Sequence, residues 1–191
     1  MEATIGKKDR ILDAAAQLIV ENGLQCSMAA IAERAGVATG SLYNYFPSKR
    51  AMVLGVYVRV GEQMSRAVVV EHADEVSHEG RIKGYIANYI EFIAVDAERA
   101  KLFEYLDNSP ELSLTDIAAT FSGFVDYTRR LFEGARAAGV VREGRAYLLG
   151  SFVRGAIRHT IKRRRLAFTV TAERVVLPQA VSVLDPGSRP G

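Results

Sequence analysis

The 191-residue chain has a single cysteine, Cys26. An intrachain disulfide and a cysteine-built metal cage are therefore excluded. Beside Ser27 at the entry to a helix, Cys26 reads as a small half-buried filler, with a redox role as the alternative. Histidine is also scarce, and His72, His78 and His159 are scattered without the H-E-x-x-H spacing of a metal helix. A phosphate-binding glycine loop is missing too, so neither an enzyme nor a resident cofactor or metal is expected. No apolar run approaches the ~20 residues of a membrane span. In "MEATIGKKDR" the basic residues are not followed by an apolar signal core, because Asp9 and Asp13 interrupt it. The expectation is a cytoplasmic protein with no membrane partner. Alternating strand patterns and internal repeats are absent. The formal net charge is only +3, distributed as +1 over residues 1–50, −4 over 51–150 and +6 over 151–191. Bulk electrostatics does not mark a nucleic-acid binder, so any such reading must rest on geometry.

What is present is apolar material, 49% of the residues, arranged at helical spacing. An all-α chain is expected. Ile11, Leu12, Ala15, Leu18 and Ile19 form one stripe of a helix from Asp9 to Asn22, with Asp9 as its N-cap and Gly23 in a left-handed C-terminal position. Ser27 caps a second helix whose Met28, Ile31, Ala32 and Ala35 point one way, and Gly36 ends it. A third helix is stopped by Pro47, which lacks a backbone donor and biases Phe46 away from helical angles. Ser48 caps a longer helix over about 49–70. The polar "EHADEVSHEG" breaks the pattern and is closed by Gly80. Ile82, Tyr85, Ile86, Tyr89, Ile90 and Ile93 mark the next helix, and Asp96 caps a short one through Tyr105. After the turn "DNSPELS", helices are expected over Leu114–Ala138, 144–164 and 171–184, the last kinked near Pro178. The tail "DPGSRPG" is expected to be disordered.

The stretch "GVATGSLYNYFPSK", Gly36 to Lys49, is unusual. Leu42 and Phe46 stand four apart and share a face that can anchor the helix to a core. Thr39, Gly40, Ser41, Tyr43 and Asn44 then face outward, a surface too polar for packing and poor in solvating charge. Three helices within about fifty residues, the second and third joined by a tight glycine turn, form a helix-turn-helix pattern. In that arrangement the third helix enters the major groove of double-stranded DNA. Thr39, Ser41 and Asn44 offer hydrogen-bonding groups to base edges, and asparagine can pair bidentately with adenine. Gly40 permits close backbone approach. Tyr43 reaches a phosphate or a thymine methyl, Ser27 suits a phosphate oxygen at a helix N-terminus, and Lys49 adds a charge contact. Each has a plainer reading: Ser27 and Ser48 as caps only, Tyr43 and Asn44 as a solvated face. Tyr45 is read as core rather than as a DNA contact.

The run "MAAIAERAGVATGSLYNYFPSKRAMVLGVY", Met28 to Tyr57, closely resembles the DNA-binding domain of the TetR family of bacterial transcriptional regulators. The family pattern "IA-x-x-AGV-S-x-G-x-LY-x-YF-x-SK" is met at Ile31, Ala32, Ala35, Gly36, Val37, Gly40, Leu42, Tyr43, Tyr45, Phe46, Ser48 and Lys49. The preceding "ILDAAAQLIVENG" is similar to the family's first helix. There are departures: Ala38 stands where a capping serine is common, Thr39 where a basic residue is frequent, and Asn44 where histidine is. Alanine cannot cap, at a cost of roughly 1 kcal/mol of local helix stability unless Thr39 substitutes. These changes alter sequence preference. The resemblance implies residues 1–48 as the helix-turn-helix domain, 49–185 as a larger helical effector-binding and dimerisation domain, and 186–191 as the tail. It also implies a homodimer reading a near-palindromic operator, with repression as the usual outcome. The alternative is a helical small-molecule carrier without specific DNA binding.

In the body, "AYLLGSFVRGAIRHTI" places the small residues Ala146, Gly150, Ser151 and Gly155 at helical spacings, which permits close helix approach in a dimer or within one subunit. Val176, Leu177, Ala180, Val181 and Leu184 give the last helix an apolar face. Aromatic residues concentrate here, and a set at helical spacing is either plain core or pocket wall. Tyrosine hydroxyls that need partners when buried suit a pocket with a few polar anchors. Tyr89, Phe92, Phe103, Phe124, Tyr127 and Phe152 are the candidate lining of an effector site, for a mainly apolar ligand. An anionic group is accommodated if Arg154 or Arg158 turns inward. The run "RHTIKRRR", Arg158 to Arg165, reads as a solvated helix end favoured by the helix dipole, or as a holder of an anionic effector.

Overall fold

The computed structural model describes residues 6–70, 76–142 and 144–166, and their regular structure is entirely helical. Eight α-helices are present among them: α1 (Lys7–Asn22), α2 (Met28–Arg34), α3 (Thr39–Tyr45), α4 (Lys49–Val68), α5 (His78–Ala94), α6 (Ala97–Asp107), α7 (Leu114–Ala137) and α8 (Ala146–Leu166). The expected helix over 171–184, its kink at Pro178 and the tail 186–191 lie outside the described residues. No described helix is long and apolar enough to cross a membrane.

Packing divides the chain into two units. The first takes residues up to Gln63 together with Asp96–Thr120, and the second takes Met64–Val95 and the residues from Phe121. In the first unit, α1 packs on both α2 and α6. Its core is the sequence stripe of α1 (Ile11, Ala15, Ile19), with Ile31 and Ala32 of α2, Leu42 of α3, and Met52, Val53 and Val56 of α4, all at most 1% exposed. Gly55 makes the α4 contact possible. A Cβ there would stand 2.7 Å from Phe46 Cε1 and 3.2 Å from Leu12 Cδ2, so the missing side chain lets α4 close on α1 and on the end of α3.

Two helix starts differ from expectation. α1 begins at Lys7 with Gly6 at the N-cap and no side-chain cap bond, and Asp9 lies inside the first turn. The apolar period cannot locate a first turn that contributes nothing to the core. Asp9 still carries negative charge where the helix dipole favours it. α5 begins at His78, not after Gly80: the Ser77 hydroxyl accepts from the Gly80 N–H at 3.1 Å, which places Gly80 inside the first turn. Elsewhere the local chemistry follows the sequence. Asp96 accepts from Arg99 N–H at 2.8 Å to cap α6, and Gly23 (φ +67) and Gly139 (φ +70) end their helices in the left-handed region.

Candidate nucleic-acid interface

The turn between α2 and α3 is set by backbone hydrogen bonds. The Gly36 N–H donates to Glu33 O and the Val37 N–H to Ala32 O, both at 3.0 Å, with Gly36 at φ +64. This closes α2 in a Schellman arrangement and redirects the chain at once into α3. Ala38 occupies the N-cap of α3 in extended conformation and makes no side-chain cap bond. At the far end Phe46 is extended (φ −134, ψ 96), as the following proline requires. Leu42 (0% exposed) and Phe46 (5%) are the buried anchors.

With α3 so held, Thr39, Gly40, Tyr43 and Asn44 are exposed, Ser41 is half-buried, and a Cβ at Gly40 would meet nothing within 4 Å. Tyr45 corrects an expectation. It is 43% exposed rather than core, comparable to Tyr43 at 46%. On a helix anchored through 42 and 46, positions 43 and 45 flank the buried side, so α3 exposes a phenol on each flank. The Ser27 hydroxyl accepts from Ala30 N–H at 3.1 Å, and Ser48 from Ala51 N–H at 3.1 Å. Capping uses a lone pair and leaves the O–H proton, so the two readings of Ser27 are compatible. Lys49 follows Ser48 at the start of α4 and is half-buried.

The supports of this surface come from distant sequence. Arg34 donates twice to the Glu21 carboxylate at 2.8 Å, holding α2 on the end of α1. That pairing lowers the Glu21 pKa and raises that of Arg34. Arg59 pairs with Asp13 at 2.8 Å. At the first turn of α4, Arg50 donates to the Glu111 carbonyl at 3.1 Å and to Asp116. Asp116 also accepts from the Ser113 N–H (2.9 Å) and hydroxyl (2.7 Å), while the Ser113 hydroxyl accepts from the Asp116 N–H (3.2 Å): a capping box at the start of α7. Those hydrogen bonds, first, and the nearby guanidinium hold the Asp116 carboxyl below its usual pKa. Tyr57 stacks on Phe103 and donates to Asp107 at 3.2 Å. Cys26 is buried, and burial pushes its thiol pKa up, which suits the filler reading.

In the second unit, Tyr85 is the hub of an aromatic cluster. Tyr89, Phe124, Tyr127 and Phe132 surround it with centroid distances of 5.9–6.4 Å. Of the expected effector-lining residues, Tyr89, Phe92, Phe124 and Tyr127 are buried in this unit. Phe103 belongs instead to the first unit, on Tyr57. Phe152 departs outright from the expectation, being 58% exposed. Gly150 takes the within-subunit reading of the two the sequence offered. It faces its own subunit, where a Cβ would stand 2.6 Å from Thr128 Cγ2, so this small residue serves contact between α8 and α7. Ser151 and Gly155 lie on the more exposed side, with open space beside Gly155. Arg154 does turn inward: its guanidinium carbon stands 5.4 Å from the Phe124 ring centroid, and Nη1 donates to the Tyr85 hydroxyl at 3.2 Å. A surface cleft of about 360 Å³, lined by Arg129, Glu133, Arg136, Arg145 and Tyr147 among others, lies where α7 ends and α8 begins. Sequence reading missed it, since its walls meet only across the α7–α8 turn.

The described residues are helical throughout their regular structure, and a three-helix head presenting a polar third helix on two buried anchors is a helix-turn-helix arrangement. The sequence model of the bacterial regulatory proteins of the tetR family matches residues 11–56. The HTH-type transcriptional repressor KstR of Rhodococcus jostii (strain RHA1) is 42% identical over 59 residues. That match spans 30% of this chain and only 28% of the repressor's length. Among solved structures, a TetR family transcription regulator from Marinobacter aquaeolei VT8 superposes with a TM-score of 0.80 at 18% identity, covering 94% of this chain and 95% of the other. AibR, solved in complex with isovaleryl coenzyme A and operator DNA, superposes with a TM-score of 0.76 at 19% identity, covering 95% and 99%. At these identities the structural likeness establishes the fold.

Proposed function

We propose that the protein is a DNA-binding transcriptional regulator, a homodimeric repressor that releases a near-palindromic operator on binding a small, mainly apolar effector. The observation that carries the reading is α3: two buried anchors, 42 and 46, hold out Thr39, Gly40, Ser41, Tyr43 and Asn44. The family-model match over the helix-turn-helix head supports a binding protein rather than an enzyme. The likeness to the repressor KstR supports repression, and the likeness to AibR, solved with isovaleryl coenzyme A and operator DNA, supports a ligand and DNA acting on one chain.

The outer face of α8 supports the dimer. Leu148 (53% exposed) and Phe152 (58%) stand four apart, and Gly155 and exposed Ala156 continue the line. Such an apolar row on a soluble chain suits a second copy. Two recognition helices about 34–36 Å apart, or a multiple, then read one symmetric site. Selection of bound DNA from a random pool tests the whole proposal, with an inverted repeat as the expected product. A pool that returns no consensus, with binding to mixed genomic DNA insensitive to salt, favours the carrier. The thin +1 charge of residues 1–50 is the observation that keeps that second reading in view.

A further inference from the structure

The effector reading can be sharpened by Arg154. Three polar contacts of its environment are on hand: Nη1 donates to the Tyr85 hydroxyl (3.2 Å), Nη2 donates to the Ser151 hydroxyl (3.1 Å), and the guanidinium lies over the Phe124 ring. Among the described residues no carboxylate pairs with it. Other arginines of the second unit are balanced differently. Arg129, which lines the surface cleft, sits between Asp126 and Glu133.

Tyr85 supplies an independent observation. It is completely buried, at 0% exposure. Arginine only donates, so the Tyr85 oxygen accepts in their mutual bond and the phenolic proton remains to be given away. Among the described residues nothing accepts it. A buried hydroxyl proton without an acceptor costs stability unless something takes it, and a guanidinium set among aromatic rings has lost part of its hydration. The two groups are adjacent, and both are donors. Gly150 contributes as well: a Cβ there would stand 3.3 Å from Arg154 Nη1, so the glycine leaves the guanidinium its seat.

We infer that Arg154 and Tyr85 form the head-group site for an apolar monocarboxylate, its carboxylate accepting from the guanidinium and the phenol and its apolar body lying on the Phe124 side of the cluster. A carboxylate supplies both missing elements, a negative charge and an acceptor for the tyrosine proton. Arg154 is half-buried, so the guanidinium stands between solvent and fully buried Tyr85 in the head-group site so inferred. This inference rests on the effector part of the proposed function and is independent of the DNA-reading part.

The test uses the full chain and matched probes, decanoate and decan-1-ol, titrated by calorimetry and by tyrosine fluorescence, since the chain has no tryptophan. Decanoate is expected to bind and decanol to bind at least about tenfold more weakly, the discrimination of one charge-assisted hydrogen bond. Arg154→Gln should remove that preference and leave decanol unchanged. Tyr85→Phe should weaken decanoate several-fold and alter the tyrosine emission change. Circular dichroism and operator affinity of both variants should match the wild type, which separates loss of the head-group site from loss of fold. Equal binding of acid and alcohol overturns the inference, as does undiminished decanoate binding by Arg154→Gln or no binding of decanoate by the wild type. In each of those cases intact operator binding would leave the regulator reading standing.

Discussion

Asn44 is exposed on a helix whose rotation is fixed by Leu42 and Phe46, so its amide is carried to one depth and one direction. Asn44→Ala is therefore expected to cost about 1–3 kcal/mol at a single base position of the operator and to relax preference there. Lys49, proposed as a phosphate contact, should behave otherwise: Lys49→Ala is expected to weaken all sequences evenly and reduce the salt slope by about one. Titrations of operator variants at several salt concentrations separate the two patterns. An Asn44→Ala protein with unchanged base preference would put α3 outside the groove. Gly55 acts one layer deeper. Alanine there would gain about 0.5–1 kcal/mol of helix propensity but meet the Phe46 ring at 2.7 Å, an overpacking that costs about 1–3 kcal/mol. A modest net loss in urea denaturation is expected, with a larger loss of operator affinity because Phe46 anchors α3. Full operator affinity in Gly55→Ala would show that the anchor tolerates displacement.

The start of α7 is the element whose stability should follow pH. Asp116 closes the capping box with Ser113 and also receives Arg50, and these bonds depress its pKa relative to the unfolded chain. A depressed carboxyl pKa contributes stability that is complete above the unfolded value and disappears as pH falls through the folded one. Asp116→Asn should therefore lower Tm at neutral pH and show a smaller further loss than the wild type below pH about 4, the ordinary carboxylate range. Parallel acid curves for the two proteins would remove Asp116 from the account. Because Arg50 sits in the first turn of α4, just after α3, the same substitution should loosen the seat of that turn. Ser27, Ser48 and Asp96 show how much of the element scale was legible: each reads as a cap in the sequence and each caps in the structure. Asp9 was misleading because Gly6 can begin a helix without a side-chain bond.

At the scale of the molecule, the exposed row Leu148 and Phe152 carries the assembly prediction. Phe152→Glu places a charge in the centre of the proposed interface, and sedimentation should find monomers, against the dimer expected of the wild type. Operator affinity should fall steeply, since two half-sites would no longer be read together. A Phe152→Glu dimer of wild-type stability would move the interface elsewhere. An effector that releases DNA must prefer the DNA-incompetent arrangement of that dimer, because equal affinity for both arrangements shifts nothing. A tenfold loss of operator affinity corresponds to about 1.4 kcal/mol of such preference.

The sequence by itself determined the helical class, the helix-turn-helix head and the outward face of α3, because each depends on neighbours three or four residues apart and on caps and stops that act locally. Tyr45, Gly150 and Phe152 went the other way. Their positions on a helix allowed either face to be buried, and only the packing of α3 through 42 and 46, and of α8 on Thr128 and Phe132, chose between them. The ties of Arg50 to Asp116 and of Arg154 to Tyr85 join residues 66 and 69 positions apart. Spacing along the chain holds no record of such contacts, which exist only once the helices have closed on one another.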